Sequence, residues 1–156
     1  MTIYLVRHAK AGDRTSWTGD DFFRPLSRRG QLQAAALVEQ FNGVHLDRLL
    51  SSPYVRCAET LVPVSAERML AIEPTEALAE CGSLENALTL VRKHSHHDAI
   101  FCSHGDIIPM LLEHYAATRG IDLGPDPAWP KGCTWTLDVD ATGEVVGADY
   151  TPPPVD

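Results

Sequence analysis

The sequence predicts a three-layer α/β/α domain built around a mostly parallel central sheet and finished by a C-terminal β-hairpin. Three observations carry that expectation. Short β-branched or apolar runs such as TIYLV (2–6) and DAIFCS (98–103) alternate with longer stretches of helical periodicity. That alternation is the pattern of parallel strands joined by crossover helices. Near the end it changes to two strand-like runs, CTWTLDVD (133–140) and EVVGADY (144–150), separated only by Ala141-Thr142-Gly143.

TIYLV (2–6) suits a strand buried on both faces. Residues 9–26 are polar and irregular, with Gly12, Gly19 and Pro25, and read as a long loop of the kind that carries function in a small domain. Ser27 is placed to cap a helix over 28–42 that Asn42-Gly43 would end, with Leu32, Ala35, Ala36 and Leu37 on its inner side. DRLLSS (47–52) is a second strand. Ser52 then caps a helix with Pro53 at its first position, where a missing N–H costs nothing, and Pro63 ends or kinks it. MLAIEP (69–74) is a third strand. Ser83 opens a helix in which Leu84, Ala87, Leu88 and Val91 share a face. DAIFCS is the fourth strand, and a helix follows His104-Gly105, with Pro109 in its first turn and Gly120 past its end. Pro125, Pro127 and Pro130 make residues 122–131 a loop. The length suits a single domain over 1–156, and no repeat or linker breaks it.

Composition narrows the function classes. At 44% hydrophobic and 22% charged residues the chain matches an ordinary globular protein. No apolar run approaches the ~20 residues of a membrane span, so no membrane role is expected. The opening MTIYLVRHAK has no basic leader or cleavage site and reads as the start of a mature cytoplasmic protein. Cys57, Cys81, Cys102 and Cys133 form no CxxC and are expected to be buried thiols. A net charge of -8 argues against nucleic acid as a partner. Yet the first 30 residues hold six basic side chains against three acidic ones, a local attractor for anions on an acidic protein.

In open sheets of this kind, ligands bind beyond the carboxyl ends of the strands. There the first strand offers Arg7-His8, the second Ser51-Ser52 and a helix bearing Arg56, and the fourth Ser103-His104-Gly105. Two arginines and two histidines, distant in sequence, should therefore meet at one edge. The group suits phosphoryl transfer. A guanidinium presents a planar donor fork to two phosphate oxygens, and a helix N-terminus adds backbone N–H groups. One neutral imidazole can attack phosphorus and carry the group, while a second donates to the equatorial oxygens. Side chains supply the positive charge, so no metal or other cofactor is required.

LVRHAK (5–10), SSPYVRCAET (51–60), LAE (78–80) and SHGD (103–106), in that order, resemble the motifs of the histidine phosphatase superfamily, whose fold is phosphoglycerate-mutase-like. The resemblance spans residues 1–120 and is to its short bacterial phosphohistidine-phosphatase-like members. It implies that His8 becomes phosphorylated, that Arg7, Arg56 and His104 bind the phosphoryl group with Gly105 beside them, and that Glu80 is the proton donor. One departure is that the family's RHG is RHA here, followed by Lys10. Lys10, with Arg14 and Arg24 on the long loop, is a candidate contact to a second phosphate or another anionic part of the substrate. RHAKAG (7–12) and WTGDDFFRPLSRRG (17–30) resemble short actinobacterial-type members, some fused to a Nudix hydrolase, which raises nucleotide phosphates as a substrate class. Phosphoglycerate mutases are longer, with insertions that keep water from the phosphohistidine.

The expected function is therefore a phosphatase that hydrolyses a phosphomonoester, phosphohistidine or nucleotide phosphate through a phosphohistidine on His8. Its partner would be a small phosphorylated substrate or a phosphorylated protein, and it would act as a monomer. Mutase-type transfer and a non-catalytic phosphate-binding module remain open alternatives. Other signals are discounted. KHSHHD (93–98) clusters His94, His96 and His97 where a helix should end, which suits histidine without a metal. Cys102 has no arginine in the ten residues that follow, as a cysteine phosphatase loop would require.

Overall fold

The computed structural model describes residues 1–156. The chain runs through β1 (Thr2–Arg7), α1 (Arg28–Gln40), β2 (Arg48–Ser51), α2 (Val55–Arg68), β3 (Ile72–Pro74), α3 (Leu84–Lys93), β4 (Ala99–Ser103), α4 (Ile107–Arg119), β5 (Thr134–Val139) and β6 (Val145–Thr151). All six strands belong to one sheet in the order β3-β2-β4-β1-β5-β6. β3, β2, β4 and β1 are mutually parallel, while β5 runs antiparallel to β1 and β6 to β5. The expected mixture of a parallel centre and a C-terminal hairpin is present, with the hairpin adding two strands to the β1 edge.

Strand alternation divides the core into two layers. Ile3, Leu5, Ala99 and Phe101 face one side and pack with Ala87, Leu90 and Val91 of α3 and with Ile108, Leu111 and Leu112 of α4. Val6, Ile100 and Cys102 face the other and meet Leu37 of α1 and Cys57, Leu61 and Val64 of α2. Each fully buried Leu, Ile or Phe of this kind contributes about 1.5–3 kcal/mol. The central strands are thus apolar on both faces, as TIYLV and AIFCS required.

Five expectations need correction. The inner side of α1 is Gly30, Gln33, Ala34 and Leu37, while Leu32 is 60% exposed and Ala35 is also outside. A polar Gln33 hides the true stripe. It tolerates burial because its Oε1 accepts from the Lys10 N–H at 2.9 Å and its Nε2 donates to the Val155 carbonyl at 3.1 Å. Helix α2 begins at Val55, not at Pro53, and Ser52 does not cap it. Pro63 does not end it, since buried Leu61 and Val64 flank the proline and packing outweighs the one lost backbone bond. The third strand is only Ile72–Pro74, because α2 runs to Arg68 and Met69 takes a left-handed turn at its end. All four cysteines are free thiols, but Cys81 is exposed, lying in a surface turn with φ 65°. No helix is long and apolar enough to cross a membrane.

Candidate active site

Sheet register brings the scattered motifs together. Arg7 pairs with Ser103 across β1 and β4, and Ser51 pairs with Cys102 across β2 and β4. The ladder continues one step beyond the strands, with His8 N–H bonded to the Ser103 carbonyl at 3.0 Å and Ser52 N–H to the Cys102 carbonyl at 2.9 Å. His8, Ser52 and His104 therefore leave the sheet side by side. The His8 and His104 rings lie edge to face, with centroids 5.4 Å apart.

His8 presents a free imidazole lone pair. Its Nδ1 lies 2.8 Å from the Ala9 carbonyl and must donate there, which leaves the lone pair of the neutral ring on Nε2. Burial lowers its pKa to about 3 despite the Ala9 hydrogen bond, and the neighbouring His104, Arg56 and Arg7 push the same way. His104 is set in the opposite sense. Its Nε2 meets Ser52 Oγ at 2.8 Å, and that oxygen already accepts the Tyr54 N–H at 3.2 Å. Cys57 Sγ meets the same Nε2 at 3.5 Å. In the tautomer in which Ser52 donates its hydroxyl proton to Nε2, Nδ1 of His104 carries the ring proton and can donate it.

Three buried side-chain nitrogens or oxygens in the whole molecule lack a hydrogen-bond partner in the protein: Arg7 Nε, Arg56 Nε and His104 Nδ1. The two arginine Nε atoms are donors, His104 Nδ1 is one in the tautomer that protonates it, and all three belong to this edge. Buried donors are almost always paired, so three together define a place for an acceptor-rich group. A tetrahedral oxyanion fits them. Arg7 Nη1 donates to the Trp129 carbonyl at 2.7 Å, and Arg7 lies so close over Gly105 that a Cβ there would stand 2.6 Å from Cζ. Arg56 is fully buried in the first turn of α2, with Nη1 on the Asp21 carbonyl at 3.0 Å and Nη2 facing Asp21 Oδ2 at 3.1 Å and Glu80 Oε2 at 3.3 Å.

Glu80 reaches the site from the loop after β3. Ser103 Oγ holds the Leu78 carbonyl at 2.7 Å, and the Asp106 carboxylate accepts the Cys81 N–H at 2.8 Å. These two bonds fix the turn that carries Glu80 between Arg56 and Arg14, whose Nη2 is 3.6 Å from Oε1. In front of His8 opens a cleft of about 350 Å³ lined by Arg7, Arg14, Arg24, Glu80, Gly105 and Lys131 among others. The structure therefore brings Arg7, His8, Arg14, Arg56, Glu80, His104 and Gly105 together. Lys10 does not line the cleft; its N–H and carbonyl are tied to Gln33 and Ser27 at the start of α1. Arg24 lines it but is 4% exposed, clamped on Asp21 and the Gly12 carbonyl.

The family model of the histidine phosphatase superfamily (branch 1) matches residues 3–89, more than half of the chain. The chain belongs to the histidine phosphatase superfamily. Its relatives include the 8-oxo-(d)GTP phosphatase of Mycolicibacterium smegmatis, 35% identical over 161 residues. That match covers 98% of this chain but 48% of the relative, so the chain spans about half the length of that relative. The protein histidine phosphatase SixA, solved with tungstate, superimposes at a TM-score of 0.77 with 19% identity, covering 99% of this chain and 97% of SixA. The α-ribazole phosphatase of Shigella flexneri gives a TM-score of 0.71 with 16% identity over 97% of this chain and 95% of its own. These two likenesses show that the superfamily fold extends to the end of the chain.

Sequence reasoning missed several members of the site. Asp21 was lost in a polar loop, yet its carboxylate bridges Arg24 and Arg56. Desolvation pushes Asp21 upward, but the Arg24 hydrogen bond and the charges of Arg56, Arg24 and Arg14 prevail and hold it below the usual range. Ser52, expected as a helix cap, instead lies against His104 Nε2 at 2.8 Å. Lys131 closes a proline-rich loop with no visible function. The histidine cluster stays apart from the site: His94 caps α3, with its Nδ1 3.2 Å from Nδ1 of His97.

Proposed function

We propose that the chain is a phosphatase in which Nε2 of His8 attacks a phosphoryl group and carries it as a covalent phosphohistidine. The observation that carries this reading is the set of three unpaired buried donors beside an imidazole whose free lone pair is on Nε2. Arg7, Arg56 and His104 would bind the phosphoryl oxygens, and their charge would be strongest in the transition state. Tungstate in the SixA structure, a tetrahedral oxyanion bound by a protein of the same fold, supports such a cup. Glu80, 3.3 Å from Arg56, would protonate the leaving group and later deprotonate the attacking water. The substrate would be a small phosphorylated compound or a phosphorylated protein. The 8-oxo-(d)GTP phosphatase activity of the mycobacterial relative favours a nucleotide. The protein would work as a cytoplasmic monomer without a cofactor.

The test is release of inorganic phosphate from phenyl phosphate, a nucleotide and a phosphohistidine peptide, with trapping of the phosphoenzyme. His8→Ala should lower turnover about 1,000-fold or more and abolish the trapped species while the fold persists. Glu80→Gln should cost most with an alkyl phosphate, whose alkoxide must be protonated, and least with an anhydride. Wild-type turnover in His8→Ala would falsify the mechanism.

A further inference from the structure

The cleft is larger and more cationic than one phosphoryl group needs. At about 350 Å³ it falls in the range of a whole small ligand. Of its lining cations, Arg7 belongs to the phosphoryl cup, and Arg24 is consumed by Asp21 and the Gly12 carbonyl. Two remain on the open side. Arg14 leans on Glu80 with a 67% exposed side chain. Lys131 takes part in none of the ion pairs of the molecule.

Lys131 is nonetheless firmly mounted. The next residue, Gly132, donates its N–H to the Arg7 and His8 carbonyls at 3.2 and 3.1 Å. The Lys131 carbonyl accepts from Gln33 Nε2 at 3.4 Å, and the same amide holds the Lys10 N–H. The ammonium thus hangs from backbone stitched to the nucleophile's own strand. Partial desolvation, and then the charges of Arg7, Arg24, Arg14 and Arg56, lower its pKa. Asp13 and Glu80 line the same cleft, but neither carboxylate lies within ion-pair distance of Lys131, which leaves its ammonium free for an anion of a ligand.

Building on the phosphatase reading above, we propose that Lys131 and Arg14 form a second anion subsite, and that the favoured substrates are phosphoanhydrides such as nucleoside di- or triphosphates. His8 Nε2 bonds to the terminal phosphorus and the bridging P–O bond breaks. Its electron pair leaves on the remaining phosphate, whose charge Lys131 and Arg14 hold. Water then attacks the phosphohistidine, giving up a proton to Glu80 and releasing inorganic phosphate as the imidazole is restored. A phosphate leaving group departs as a stable anion and needs no acid.

The test titrates the full chain with orthophosphate and with imidodiphosphate, a non-hydrolysable anhydride. Wild type should bind imidodiphosphate about tenfold or more tighter, Lys131→Met should lose most of that margin, and Lys131→Arg should keep it. In turnover, Lys131→Met should lower the ratio of kcat/KM for a nucleoside diphosphate over phenyl phosphate by about 10- to 100-fold. An unchanged margin in Lys131→Met, or equal losses on both substrates, overturns the subsite. Imidodiphosphate binding requires no turnover. A chain that binds it through Lys131 yet forms no phosphoenzyme would therefore overturn the phosphatase reading and leave the subsite standing.

Discussion

With its ring 5% exposed and Nδ1 committed to the Ala9 carbonyl, His8 is neutral and correctly tautomerised before any substrate arrives. That state has a cost in acid. In the unfolded chain His8 titrates near 6.5, and in the folded chain at about 3. Between those values the unfolded chain binds a proton that the native one does not. The stability associated with neutral His8 is therefore full above pH 6.5 and is lost as pH falls toward 3, by about 5 kcal/mol if fully expressed. Urea unfolding of wild type and His8→Asn at pH 7, 5 and 4 should show a steeper acid loss in wild type, and parallel losses would refute the assignment. Arg7, His8, Arg56 and His104 were legible because each closes a strand or opens the helix after one. Asp21 and Ser52 were not, since nothing in an isolated Asp or Ser says that a buried arginine or imidazole will need it.

Helix ends and faces decide how those residues are presented. α2 carries Arg56 in its first turn, so its N-terminus must be fixed, while its far end is free to be imperfect. That end is Met69, left-handed at φ 55° and 91% exposed. A left-handed residue with a Cβ is strained, and glycine is the usual occupant of this cap. Met69→Gly should stabilise the fold by about 0.5–1 kcal/mol, net of the entropy glycine loses, read as a higher urea midpoint with the same slope. At α1 the sequence showed the right helix and the wrong face. Gly30 lies inward, where a Cβ would stand 1.9 Å from the Lys10 carbonyl oxygen, and Gln33 lies inward as a fully paired amide. Hydrophobic counting selected Leu32 instead, because it scores neither close approach nor satisfied polarity.

One sheet joins the two cores, since β1 and β4 send alternate side chains to each. Damage on either face should therefore unfold the whole. Leu61→Ala, in the smaller core under α1 and α2, should cost about 2–5 kcal/mol. Fluorescence and circular dichroism should then still report a single coincident transition. Two separated transitions would mean that the layers fold independently. Saturation with tungstate at about 100 times its dissociation constant should restore about 2.7 kcal/mol, as any ligand of the native state does.

The amino-acid order alone determined the alternation of strands and helices and the meeting of Arg7, His8, Arg56 and His104 at one edge of the sheet, because both follow from local pattern and from where parallel strands end. What only the tertiary structure decided is the rest of the cleft. β5 runs antiparallel to β1, so it delivers the loop before it, not the one after it, to the same edge. Lys131 arrives by that route, and a rule that looks past the C-terminal ends of strands cannot find it. Lys10, two residues from His8 in sequence, does not line the cleft. Proximity along the chain placed neither cation; the direction of one strand brought Lys131 to the cleft.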